Sequence, residues 1–170
     1  AGAKLPSFAR DYLFRWIAWY EKGKFQEALT DINRRVELDP RDATALHHRG
    51  NVLLVMNRLE EAKAVFNDTL KLSPEDASAW NNLGVTLDSL GQPDAALDAF
   101  RRAIECKPPS KNAFFGMAFV QIRLGRLDDA AATLARIEAL NPVPDAVTLA
   151  TRSVLERRRG NSQQADALEQ

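Results

Sequence analysis

A period of 34 residues runs through most of this chain of 170 residues. The clearest copy consists of nine spaced residues, namely Trp80, Leu83, Gly84, Leu87, Gly91, Ala96, Phe100, Ala103 and Pro108. Related residue types recur 34 residues before and after these positions, and the three other copies end at Pro40, Pro74 and Pro142. A fixed period in this range indicates an array of repeated structural units.

Each copy has the signals of two helices joined by a tight turn. In residues 77–110, Asp76 is a suitable N-cap, and apolar residues follow with helical spacing. Gly91 stands where the chain must turn left-handed, and Pro93 suits the first position of the second helix. The position of Gly91 is occupied in the other copies by residues that also tolerate this conformation, Gly23, Asn57 and Gly125.

The pattern predicts ten helices in five pairs. We expect them near residues 7–22, 25–38, 43–56, 59–72, 77–90, 94–106, 111–124, 127–140, 145–159 and 162–169. Residues 1–8 are predicted to be an N-terminal extension or a cloning remnant, and 9–170 a single array divided into 9–42, 43–76, 77–110, 111–144 and a partial repeat, 145–170. One extra residue near 141–144 shifts the phase of the last repeat. Because the chain starts with Ala and stops inside a predicted helix, we expect a fragment of a longer protein.

These spaced residues resemble the tetratricopeptide repeat pattern. The resemblance implies an all-α, right-handed superhelical solenoid of stacked antiparallel helix pairs, in which the first helix of each pair lines a concave groove. Family members hold extended or helical segments of partner proteins there. Trp16 departs from the pattern because it replaces the usual small Gly, so the first hairpin is expected to be splayed or repacked. Arg15 and Arg49 replace a Leu, and Gln121 stands where a large apolar residue is usual.

The resemblance also implies which residues line the groove. Those singled out as partner-binding are Leu13, Ile17, Tyr20, His47, Asn51, Asn81, Asn82, Val85, Phe115 and Phe119. The three Asn amides can pair with both the donor and the acceptor of a peptide backbone, and the apolar residues can hold side chains. The expected function is therefore a protein–protein interaction scaffold or adaptor. The alternatives are an oligomerisation or assembly module, or the regulatory docking arm of a larger enzyme. Some groove residues could instead pack against neighbouring helices of the same chain.

The first helix carries more aromatic residues than one buried stripe needs. They are Phe8, Tyr12, Phe14, Trp16, Trp19 and Tyr20. No earlier repeat covers this helix, so it either packs against an upstream segment or forms a homo-oligomer interface.

The sequence favours neither catalysis nor a cofactor. Lys plus Arg and Asp plus Glu both number 23, so the chain lacks the basic excess that general nucleic-acid binding needs. It has no Gly-rich phosphate loop, zinc motif or nucleophile elbow. His47 and His48 point about 100° apart on a helix and cannot chelate one metal together. We therefore expect no enzyme activity, no cofactor and no metal.

Three further features are interpreted structurally. Arg157, Arg158 and Arg159 suit a helix C-terminus, and Cys106 is expected to be a small, half-buried residue. No apolar run is long enough for a membrane span, so we expect a soluble protein with no direct membrane insertion. The compartment stays open, with the cytoplasm slightly favoured over the periplasm.

Overall fold

A computed structural model describes residues 7–140 and 145–168, with side chains from residue 14 onward. The described residues contain ten α-helices and no strand. The helices are α1 (Ser7–Glu21), α2 (Phe25–Leu38), α3 (Ala43–Val55), α4 (Leu59–Leu72), α5 (Ala77–Ser89), α6 (Pro93–Glu105), α7 (Lys111–Arg123), α8 (Leu127–Leu140), α9 (Ala146–Arg159) and α10 (Ser162–Ala167). All ten predicted helices are thus confirmed, with every observed end within two residues of the predicted one.

Local signals explain where the helices begin and turn. The Asp76 carboxylate accepts hydrogen bonds from the backbone amides of Ser78 and Ala79, which caps α5 as predicted. Asp42 and Asp145 cap α3 and α9 in the same way. The predicted left-handed residues Gly23, Asn57, Gly91 and Gly125 all have positive φ angles, as does Gly160 after α9.

The packing of the helices produces an inner and an outer side. Each helix contacts its neighbours in sequence, and in addition α3 contacts α5, α5 contacts α7, and α7 contacts α9. Consecutive even-numbered helices have no comparable contact in the described part of the chain. The odd-numbered helices therefore lie on the tighter, inner side of a curved stack. We call the inner surface formed by α1, α3, α5, α7 and α9 the concave wall.

Small and large residues are matched inside each hairpin. In the second and third hairpins a Gly faces a Phe. A Cβ on Gly50 would come within 2.5 Å of the Phe66 ring, and a Cβ on Gly84 would come within 2.6 Å of the Phe100 ring. The same register holds Ala118 and Leu134 in the fourth hairpin, and both are fully buried. In the first hairpin it holds Trp16 and Ile32, which are also buried. The Gly residues are paired with Phe, whereas the larger Ala118 and Trp16 are paired with the smaller Leu134 and Ile32, as close packing requires.

Trp16 repacks the first hairpin without splaying it. The Trp16 side chain is buried, and its ring centroid lies 4.4 Å from that of His48 on α3. Helix α1 keeps an extensive contact with α2. The large residue is thus accommodated by stacking across the junction between the first and second hairpins.

Two of the other departures from the family pattern, Arg15 and Gln121, belong to paired polar groups, whereas the buried Nε of Arg49 has no hydrogen-bond partner among the described residues. Arg15 donates two hydrogen bonds, of 2.7 and 2.6 Å, to the buried carboxylate of Asp31. Gln121 accepts a hydrogen bond of 2.9 Å from the buried hydroxyl of Thr133. These pairs satisfy polar atoms that would be costly to bury alone.

Candidate functional site: the concave wall

One apolar residue stands exposed at the same register position on four of the five inner helices. These residues are Ile17, Val85, Phe119 and Val154, which we call the apolar ladder. Their side chains are 39%, 38%, 48% and 39% exposed. The first three fit the 34-residue register, and Val154 fits it when the extra residue near 141–144 is allowed for. Helix α3 contributes the half-buried Asn51 at this position.

The core contacts of each inner helix orient its ladder residue. On α5, Leu83, Gly84 and Leu87 are buried against neighbouring helices. Val85 lies on the opposite side of the helix, in line with the exposed Ser78 and Ser89. Because α5 belongs to the inner side of the stack, this exposed stripe faces the groove.

Three asparagines form a hydrogen-bonded chain across the middle of the wall. The Nδ2 group of Asn81 donates to Asn82 Oδ1 at 2.9 Å, and Asn82 Nδ2 donates to Asn51 Oδ1 at 2.7 Å. Asn82 thereby joins α5 to α3. The Nδ2 group of Asn51 donates to no other group in the described part of the chain. Much of the hydrogen-bonding capacity predicted to hold a peptide backbone is thus used within the wall itself.

The two histidines connect the first three hairpins. His47 Nδ1 lies 3.1 Å from Oδ2 of Asp76, the N-cap of α5. His48 stacks on Trp16 of α1. Burial lowers the pKa of His48, and the nearby His47 and Arg35 lower it further. Within the described residues, no group of three or more His, Cys, Asp or Glu could hold a metal ion.

The charges in the middle of the wall largely neutralise one another. Asp88 of α5 accepts from Arg123 of α7 in an ion pair that bridges two neighbouring inner helices. Arg157, near the C-terminal end of α9, lies 3.3 Å from Asp166. Among the described side chains on the inner faces of α1, α3, α5 and α7, Glu21 carries the one charge outside the Asp88–Arg123 pair; the side chain of Arg10 lies outside the described residues. The middle of the wall is therefore nearly neutral.

The predicted groove residues have different environments. Ile17, Val85 and Phe119 are exposed, whereas Tyr20, His47, Asn51, Asn82 and Phe115 are half-buried. Asn81 is only 9% exposed and is turned towards Asn82. The side chain of Leu13 lies outside the described residues. The structure adds Val154, which was missed because the groove register was not carried past the phase shift into the last repeat.

The aromatic residues of α1 are mostly used inside the fold. Trp16 is buried, and Tyr20 packs edge-on against Phe25 with ring centroids 5.4 Å apart. Trp19 is half-buried beneath the ammonium group of Lys24, which lies 5.1 Å from the ring centroid. The described aromatic side chain that projects most into solvent is Phe14, at 70% exposure. The side chains of Phe8 and Tyr12 lie outside the described residues, and a homo-oligomer interface on α1 stays a prediction.

The remaining candidates have structural partners. Arg159 donates to Asp128 at 2.8 Å, which links α9 to α8. Cys106 is buried, and burial raises the pKa of its thiol. No helix in the described ranges combines the length and the apolar character of a membrane span.

Comparison with known families agrees with this architecture. The profile of a tetratricopeptide repeat matches residues 47–111, and that of a second tetratricopeptide repeat matches residues 89–152. The two matches together span 47–152. The chain belongs to the tetratricopeptide repeat family. No match to this tetratricopeptide repeat protein was found among curated proteins.

Several solved structures share the fold over nearly the whole chain. A MamA protein from Desulfovibrio magneticus is 18% identical, with a TM-score of 0.80 and coverage of 96% of this chain and 92% of that one. A thermophilic protein of Thermus thermophilus is 20% identical, with a TM-score of 0.76 and coverage of 94% and 87%. YrrB, described as a tetratricopeptide repeat protein with an unusual peptide-binding site, is 27% identical, with a TM-score of 0.69 and coverage of 94% and 82%. These matches establish the right-handed solenoid of stacked helix pairs expected from the sequence.

Proposed function

We propose that this protein is an interaction scaffold whose concave wall binds a neutral, partly apolar segment of a partner protein. The observation that carries the proposal is the apolar ladder. Ile17, Val85, Phe119 and Val154 recur in register on the inner side, each with more than a third of its surface exposed. A line of exposed apolar residues on a concave surface is a common feature of peptide-binding sites.

The charge distribution defines the class of partner. Among the described side chains on the inner faces of α1, α3, α5 and α7, Arg123 is the one cation, and its ion pair with Asp88 leaves it little able to clamp an acidic tail. Glu21 alone provides little attraction for a basic segment at physiological ionic strength. A neutral segment that buries apolar side chains against the ladder is the best complement to this wall. The peptide-binding site described for YrrB supports a peptide ligand for a protein of this fold.

Selection from a random peptide library displayed on phage tests the proposal. Peptides enriched on the wild-type protein are measured against Val85→Ser and Phe119→Ser. Leu72→Ser is the matched control, because Leu72 is 37% exposed, like Val85 at 38%, but lies at the end of the outer helix α4. We expect the two ladder variants to weaken binding about tenfold or more and the control to leave it unchanged. Equal binding by wild type and both ladder variants would show that the concave wall is not the site.

The proposed role is non-catalytic and needs no cofactor. The binding mode is the same whether the array acts as a separate adaptor or as the docking arm of a larger enzyme. Self-association through α1 is a distinct proposal that depends on Phe14. Sedimentation velocity of wild type and Phe14→Ser at two protein concentrations distinguishes self-association from a constant monomer.

A further inference from the structure

Helix α1 presents to solvent a face that the later inner helices pack on the hairpin before them. Ala18 is exposed, whereas the residues in its register on the later inner helices are buried, namely Val52, Thr86, Val120 and Leu155. Phe14 is 70% exposed, whereas the residues in its register are half-buried or buried, namely His48, Asn82, Gly116 and Thr151. No described element covers this face, so α1 carries a hairpin junction surface that is open.

The junction between the second and third hairpins shows which positions meet in such a contact. There, Asn82 donates to Asn51 at 2.7 Å. The position of Asn51 holds Val154 in α9, the last inner helix, and the position of Asn82 holds Phe14 in α1. Val154 is 39% exposed and Phe14 is 70% exposed. If α9 of one copy stood before α1 of another copy, these two exposed apolar side chains would therefore face each other.

The ion pair between the third and fourth hairpins has an equivalent in the same arrangement. Asp88 of α5 accepts from Arg123 of α7. The position of Asp88 holds Arg157 in α9, and the position of Arg123 holds Glu21 in α1. Both side chains are exposed. The charges are exchanged relative to the internal junction, but they remain opposite in sign and would attract each other.

A contact between an outer helix and the next turn gives a second pair of opposite charges. Lys63 of α4 donates to Gln92, before α6, at 3.3 Å. The same two positions hold Asp166 in α10 and Lys24 before α2, and both of these residues are exposed. Because Asp166 also lies 3.3 Å from Arg157 within one copy, the charges of the two pairs would alternate in sign.

We propose that a second copy of this chain docks on α1 through its last hairpin, α9 and α10, in the arrangement that joins consecutive hairpins within the chain. One side of the contact consists of Phe14, Glu21 and Lys24, and the other consists of Val154, Arg157 and Asp166. Because the two sides are different surfaces, the association is head-to-tail and continues to longer oligomers. It goes beyond peptide binding by the concave wall and gives the exposed Phe14 a specific partner surface.

Sedimentation velocity of the 170-residue chain, from low micromolar to millimolar concentration, tests the inference. The variants are Phe14→Ser, Glu21→Arg, Arg157→Glu and the double variant that carries both charge reversals. Leu72→Ser is the control, because Leu72 is exposed at the end of the outer helix α4, away from both faces. Circular dichroism shows whether each variant keeps the wild-type helicity.

We expect the wild-type sedimentation coefficient to rise steadily with concentration, without a plateau at the dimer. Phe14→Ser should weaken association about tenfold or more, and Leu72→Ser should leave it unchanged. Each single charge reversal should weaken it about three- to tenfold, because like charges then face each other. The double variant should recover most of the wild-type affinity. It loses the same contact between residues 157 and 166 as Arg157→Glu does, so this recovery cannot come from improved folding.

Hydrogen exchange at low and high protein concentration identifies the two surfaces independently. We expect amides of both α1 and α9 to gain protection at high concentration. Protection of α1 alone, together with unchanged association of Arg157→Glu, would show that α1 pairs with itself and would overturn the head-to-tail contact. A double reversal as weak as the single ones would overturn the proposed register. A wild type that remains monomeric at millimolar concentration would overturn the inference as a whole, without bearing on peptide binding by the concave wall.

Discussion

The ring of Phe100 lies so close to Gly84 that a Cβ on this glycine would come within 2.6 Å of the Phe100 Cε1 atom. A Cβ on Gly116 of α7, in the next hairpin, would also come within 2.6 Å of this ring. Phe100 is 1% exposed and belongs to the continuous core. A ring inserted between two glycines thus joins the third hairpin to the fourth, and the inner helices that carry the apolar ladder are positioned by such contacts.

Gly84→Ala is expected to destabilise the protein by about 1–3 kcal/mol, because the added methyl group overpacks the Phe100 ring. Phe100→Leu should reduce this cost, since the fourth hairpin holds Ala118 and Leu134 in the same register. The measurement is the free energy of unfolding in urea for both single variants and the double variant. Strictly additive effects in this cycle would show that the two positions do not compete for space.

Gly91→Ala tests a different requirement at the turn between α5 and α6. Gly91 has a φ angle of +72°, and no neighbouring atom lies within 4 Å of the place where its Cβ would be. The expected loss of about 1–2 kcal/mol is therefore due to backbone strain alone. Gly91→Asn should cost less, because Asn57 adopts a φ angle of 58° at the equivalent turn. Equal losses for Ala and Asn in thermal unfolding would contradict this explanation.

Acidification is expected to loosen the junction between the first and second hairpins. Burial, His47 and Arg35 lower the pKa of His48 below its ordinary value of 6.5, against the smaller opposing effects of Asp42 and Asp76. The unfolded chain therefore binds a proton at this site more readily than the folded one. The contribution of neutral His48 to the stability of the folded state is complete above about pH 6.5 and is lost as the pH falls below that value.

Hydrogen exchange of α1 and α2 amides at pH 7.5 and 5.5, corrected for intrinsic rates, measures this effect. The opening equilibrium should increase by at most about tenfold per pH unit, as expected for one proton. In His48→Gln the pH dependence should be absent, and amides of α7 and α8 provide an internal reference. An equal pH response in His48→Gln and wild type would assign the effect to other groups.

The buried pair Gln121 and Thr133 is expected to respond asymmetrically to substitution. Thr133→Ala removes the hydroxyl that donates to Gln121 Oε1 and should cost about 1–3 kcal/mol, because a buried amide oxygen loses its donor. Gln121→Leu with Thr133→Ala should be close to neutral, since the third hairpin holds Leu87 and Ala99 at these positions. Chemical denaturation of the wild type and these two variants checks this. A double variant as unstable as Thr133→Ala alone would show that lost packing, and not an unsatisfied oxygen, is the cause.

The helices and turns could be predicted because their signals are local. Asp76 caps a helix with its own side chain, and Gly91 permits a left-handed turn whatever surrounds it. The 34-residue period then placed Ile17, Val85 and Phe119 at the same position of the inner helices α1, α5 and α7, where they are found exposed. Val154 follows the same rule once the phase shift is included.

The roles of individual polar groups were less accessible to the sequence. Asn81 and Asn82 are adjacent and chemically identical, yet Asn81 is buried while Asn82 is half-buried and bonds across to Asn51. Trp16 violates the small-residue pattern, and only its stacking on His48 of another hairpin shows how it is accommodated.

The sequence by itself determined the number of helices, their ends, the left-handed turns and the repeat register, because these depend on interactions between residues close in the chain or on a period that every repeat shares. The tertiary structure alone decided how the asparagines and histidines of the wall are partnered and that Asp88 and Arg123 neutralise each other in its middle. Those properties depend on the distance between side chains about 30 residues apart, as between Asn51 and Asn82, and are set only when neighbouring hairpins stack.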